Sequence, residues 1–149
     1  MVKTTRVKNL MISGKTITTN NKNEMNEQTA KIQTLWDDYS EENVYSATHD
    51  KANNSSMYGV YSNYISDLNG DYDVTVGVEV TKAKNAIVIK DEKYLVFKKE
   101  GELPQVVIDT WTEIWEYFEN NTEYKRAYTI DFEHYTKEDE IEIYISIEK

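Results

Sequence analysis

Two stretches of this 149-residue chain read alike: LWDDYSEE at 35–42 and IWEYFENN at 114–121. Each belongs to a segment whose apolar residues recur at helical spacing. Ile32, Leu35, Trp36 and Tyr39 share one face in the first, and Val107, Trp111, Ile114, Trp115 and Phe118 in the second. Downstream, VYSNY (60–64) answers to DFEHY (131–135), which pairs Tyr61 with Phe132, Ser62 with Glu133 and Tyr64 with Tyr135. Each half therefore reads strand–helix–strand–strand, over roughly 8–80 and 85–149. Neither half alone can cover both its helix and its sheet, so the two must share a core. The expected fold is α+β, a tandem pseudo-twofold repeat forming one antiparallel sheet. Both main helices should lie on one face of it, with a central groove near the axis, all in a single domain spanning 1–149.

After a short lead, 10–19 is a strand rich in β-branched residues. Asn26 is the expected N-cap of a helix running to Tyr39, with Glu27 in its first turn. The polar stretch 40–56 reads as a loop. Residues 57–64 and 72–80 form a hairpin around Asn69-Gly70. Residues 82–92 are ambiguous, a short strand ending in a turn, and 93–99 is a strand. Pro104 opens the second helix, where a missing N–H costs little. RAYTIDFEHY and IEIYISI close the chain as a hairpin.

Composition narrows the function. A net charge of −10 lacks the basic face that phosphate neutralisation needs, so no direct nucleic-acid binding is expected. That charge favours cationic ligands through the overall field, although it serves solubility equally well. Twelve Tyr and three Trp supply large apolar area with polar tips, suited to binding surfaces as well as cores. The absence of cysteine excludes disulfides and thiolate chemistry. His49 and His134 lack metal-ligand spacing, Gly59 has no glycine partners for a phosphate loop, and no nucleophile–base arrangement stands out. No cofactor is implied. With no signal-length or membrane-spanning apolar run, a cytoplasmic location away from any membrane is expected.

Glu133 is the residue that raises a chemical question. Alternation places Asp131, Glu133 and Tyr135 on one strand face and Ile130 and Phe132 on the other. On the plain rule that carboxylates sit outside, the apolar pair would face the helices and the acids would face water. The alternative is a groove in which Glu133, Ser62, Tyr64 and Tyr135 meet across the pseudo-axis. Trp36 and Trp115 would then be its walls, and Trp111 an ordinary core residue. A carboxylate rimmed by aromatics grips an organic cation through charge and cation–π contact. On this reading Glu133 is the pocket acid and Asp131 the solvent or structural one.

The order and spacing of TTNNKNEMNEQTAKIQTLW, MYGVYSNY, YDVTVGVEV, the IWEYF helix and RAYTIDFEHY…EIEIYISI resemble the GyrI-like effector-binding family. Within it, the chain is most similar to the stand-alone, integron-cassette-type proteins. The resemblance implies the same tandem fold and a ligand-sensing role toward hydrophobic, often cationic, small molecules. It matches Glu133 to the family's pocket glutamate and Trp115 to its aromatic residue on the second helix. Glu27 stands where the family commonly has proline, which implies an altered helix cap. A DNA-binding helix-turn-helix is not expected, so the chain would sequester its ligand or work through a regulatory protein partner. Two alternatives stay open: a hydrolase of strained electrophilic natural products using Glu133 as general base, and a gyrase-inhibitor-like protein-interaction module.

Overall fold

Alternating β-branched and aromatic residues build six strands: β1 (Val2–Thr19), β2 (Met57–Ser62), β3 (Tyr72–Glu79), β4 (Ile87–Glu100), β5 (Asp131–Lys137) and β6 (Glu140–Ser146). Two longer helices, α2 (Ile32–Glu41) and α4 (Gln105–Asn120), accompany the one-turn helices α1 (Asn21–Glu24) and α3 (Val44–Ala47). The computed structural model describes residues 2–52, 56–66, 69–82, 84–120 and 123–148. Parts of the polar loop, of the turn before Asn69 and of the end of IWEYFENN lie outside the described residues.

The strands form one antiparallel sheet in the order β1-β3-β2-β5-β6-β4, and β4 pairs back with β1 to close it. Pairing displays the repeat. The C-terminal half of β1 pairs with β3 as that of β4 pairs with β6, while the N-terminal parts of β1 and β4 pair with each other. At the opposite side of the molecule the pseudo-equivalent β2 and β5 run side by side.

Strand alternation divides the core in two. Closure turns one face inward, where Leu10, Ile12, Tyr58, Val60, Ile89, Tyr94 and Phe132 pack together. Both long helices cover the other face. From α4, Val106 and Ile114 pack on Leu95, Phe97, Ile141, Ile143 and Ile145. From α2, Leu35 and Tyr39 pack on Tyr61, Tyr72, Val74 and Val76. The helices thus lie on one face of one sheet, as the repeat requires.

Four element expectations are corrected. The N-terminal lead is part of β1, held by its ladder to β4. The part of the ambiguous 82–92 region from Ile87 onward and the 93–99 strand merge into the single long β4, because both ends have partners: β1 on one side and β6 on the other. Asn26 caps no helix, and Glu27 is in no first turn. Asn20 caps α1 by accepting from the Asn23 N–H at 2.8 Å, and α2 begins only at Ile32. The Glu24 carboxylate caps α2 from a distance in sequence, accepting the Lys31 and Ile32 N–H groups at 2.9 and 3.2 Å. An acid at a helix N-terminus satisfies orphan donors and the macrodipole together. The polar loop also contains α3. No described helix is long and apolar enough to cross a membrane.

Candidate functional site

The two long helices pack chiefly on different strands. α4 packs on β4 and β6, and α2 on β1 and β3, so the central β2–β5 pair becomes the floor of a groove between them. A cavity of about 830 Å³ fills this groove. Its wall is largely aromatic: Trp36 from α2, Trp111 and Trp115 from α4, and Tyr61, Tyr64, Tyr72 and Tyr135 from the sheet side. Met25, Leu103 and Ile108 also line it, and all three are exposed, which places them at its mouth.

Glu133 rises from the floor and is 3% exposed. Its Oε1 accepts from the Tyr135 hydroxyl at 2.6 Å. Its Oε2 accepts from the Tyr61 hydroxyl at 2.9 Å and the Trp111 indole N–H at 2.7 Å. Burial holds the Tyr61 and Tyr135 phenols well above their ordinary value of 10, so they remain protonated donors. Burial also raises the Glu133 pKa above 4.5, and the three donors, Tyr135 first, pull it partly back. Every donor is neutral. No ion pair to Glu133 is present among the described residues, so its negative charge faces the cavity without a counter-charge.

Asp131, two positions earlier on the same face, has a different setting. It is fully buried and forms an ion pair with Arg126 at 2.7 Å. It also accepts from the Tyr64 hydroxyl, from the Ser146 N–H at 2.7 Å and from the Ser146 hydroxyl at 2.9 Å. Asp131 is therefore structural and not solvent-facing.

Of the residues singled out in the sequence, Glu133, Trp36, Trp115, Tyr64 and Tyr135 line the cavity, whereas Ser62 does not. Trp36 packs edge-on against Tyr135, with ring centroids 5.4 Å apart. Trp115 lies against Trp111 at 6.1 Å. Tyr64 meets Asp131 instead of Glu133. Ser62 fails because the sequence correspondence is one residue out of phase. Tyr61 was matched to Phe132, yet Tyr61 packs under α2 while Phe132 belongs to the inward cluster. The residue directly across from Glu133 is Gly59. The acids face the helices, opposite to the plain rule, because the inward face is already filled by Phe132 and its neighbours.

Tyr61, Trp111 and Arg126 are cavity residues that sequence reasoning missed. Trp111 is more than core, since its N–H holds Glu133. The signal for it was its i,i+4 spacing from Trp115 together with a polar handle that a buried indole must satisfy. Among the described residues, no group of three or more His, Asp or Glu could hold a metal ion.

The fold has counterparts among solved structures. An integron cassette protein from the mobile metagenome of Vibrio cholerae superposes with a TM-score of 0.88 at 34% identity, covering 99% of this chain and 95% of that one. The structure of SAV2435 bound to tetraphenylphosphonium superposes at 0.76 and 20% identity, covering 99% and 94%, a likeness of fold. In sequence, the Bacillus subtilis (strain 168) protein YobU, whose name proposes a transcriptional regulator, is 28% identical over 144 residues, 88% of each chain. Residues 7–147 match the family of integron-associated effector binding proteins (Cass2), and this chain belongs to that family.

Proposed function

We propose that this single domain binds a hydrophobic organic cation in the cavity between α2 and α4, with Glu133 as its counter-charge. The observation that carries the reading is the unpaired state of Glu133. A buried carboxylate that lacks a cation is costly, and a ligand cation removes that cost while the aromatic wall supplies contact area and cation–π attraction. SAV2435, which shares the fold, is solved with tetraphenylphosphonium, a ligand of this chemical class. Occupancy then either sequesters the compound or is reported to a regulatory partner, the kind of role that the name of YobU suggests for that protein.

All three tryptophans of the chain line the cavity, so their fluorescence reports on occupancy. Titration with tetraphenylphosphonium should quench it saturably, and neutral triphenylphosphine oxide should bind far more weakly. Absence of saturable quenching by the cation, or equal affinity for the neutral compound, would overturn the proposal.

A further inference from the structure

Arg126 is the buried cation of the cavity wall. Its side chain is 7% exposed, its Nη2 donates to Asp131 Oδ2 at 2.7 Å, and its guanidinium stacks 4.4 Å from the Tyr128 ring. Asp131 is absent from the cavity lining and is fully engaged by Arg126, Tyr64 and Ser146. Arg126 is not fully engaged. It lines the cavity, and its Nε is buried with no hydrogen-bond partner among the described residues. A guanidinium carries five N–H donors in a fixed fork, and the contact to Asp131 uses only part of that fork at a residue that lines the cavity.

We propose that Arg126 forms an anion subsite, so that the effector carries a carboxylate in addition to its cationic centre. This rests on the cation-binding reading of Glu133 and extends it. The ion pair Arg126–Asp131 is neutral as a unit, so it leaves the demand for a cation at Glu133 intact. Asp131 and Glu133 stand two positions apart on one strand face, about 7 Å between Cα atoms. Both poles therefore lie within the span of one drug-sized aromatic molecule. A carboxylate brought near Glu133 without Arg126 would be repelled, whereas the guanidinium offers it a planar, charge-assisted contact.

Two dyes with the same cationic xanthene core test this: rhodamine 110, which carries a free carboxylate, and rhodamine 123, its methyl ester. The expected result is that the wild-type protein binds rhodamine 110 at least about tenfold more tightly, the increment of one charge-assisted hydrogen bond. The double variant Arg126→Gln/Asp131→Asn removes both charges of the pair at once and leaves none unpaired. It should lose or invert the preference. Wild-type protein that binds rhodamine 123 as well as or better than rhodamine 110 overturns the Arg126 subsite but leaves the Glu133 reading standing. A preference that survives in the folded double variant overturns it too. If the double variant does not fold, the wild-type comparison decides alone. Failure of both dyes to bind wild-type protein overturns both readings together.

Discussion

Gly59 and Glu133 stand directly opposite each other across β2 and β5, and a Cβ added at 59 would come within 2.8 Å of Glu133 Oε1. Only a bare backbone at 59 leaves room for the carboxylate to lie where Tyr61, Tyr135 and Trp111 reach it together. Gly59→Ala should therefore push the carboxylate off its three donors. We expect tetraphenylphosphonium affinity to fall at least about tenfold, which corresponds to the loss of a single good hydrogen bond. An unchanged fluorescence titration in the folded variant would show that the position of the carboxylate does not govern binding.

The two acids of β5 should respond oppositely to neutralisation. Glu133→Gln should weaken tetraphenylphosphonium by about 2–5 kcal/mol, the usual cost of losing a desolvated charge partner, and leave a neutral isostere unaffected. Its effect on folding should be small, because it removes a charge that has no buried counter-charge. Asp131→Asn leaves Arg126 buried and unpaired, and should cost about 3–5 kcal/mol of stability in urea melts. A melt of Asp131→Asn that matches the wild type would contradict the buried pair.

Binding and stability should depend on pH with opposite signs. Glu133 has a folded pKa raised above 4.5, so the folded chain holds this proton to higher pH than the unfolded chain does. Its contribution to stability is full below the unfolded value and is lost as pH rises through the folded one. Cation affinity needs the charged form: it is full above the raised pKa and declines as pH falls through it. Calorimetric titrations of tetraphenylphosphonium across this range should show the decline in wild type and none in Glu133→Gln. A pH-independent wild-type affinity would exclude Glu133 as the counter-charge.

Trp111 and Trp115 are neighbours on α4, and only Trp111 donates to Glu133. Trp111→Phe keeps the aromatic wall but removes a donor that lowers the Glu133 pKa, so the pH midpoint for cation binding should move upward. Loss of a donor to a buried acceptor should also cost about 1–3 kcal/mol of stability. Trp115→Phe should leave the midpoint in place. Equal midpoints for the two variants would mean that the indole N–H does not tune the carboxylate.

Much of the architecture could be read from residue pattern alone. Helical spacing in 32–39 and 107–118 marked both long helices, and the repeated element order required one sheet with both helices on one face, because neither half can bury its apolar surface unaided. Trp36, Trp115, Tyr135 and Glu133 were recognisable as groove residues by the same logic. Closure of the sheet was not. The lead before Leu10 and the stretch from Ile87 become strand because β1 and β4 pair with each other across about 85 positions, and local propensity carries no trace of so distant a partner.

The facing of β5 was likewise decided in three dimensions. Alternation states that Asp131 and Glu133 share a face, but not which layer that face meets. A shift of one residue exchanges every side chain between the two faces, so an approximate repeat alignment placed Ser62 in the groove where Gly59 and Tyr61 belong. What made the acids tolerable beneath the helices is equally tertiary: Arg126 and Ser146 for Asp131, and Tyr61, Tyr135 and Trp111 for Glu133. Three of these five partners lie at least fifteen positions from their acid, and only folding brings them within reach. The residue types and their period determined which faces must be buried. The tertiary pairing alone decided which acid received a counter-charge and which was left without one, because a charge is paired through space and not along the chain.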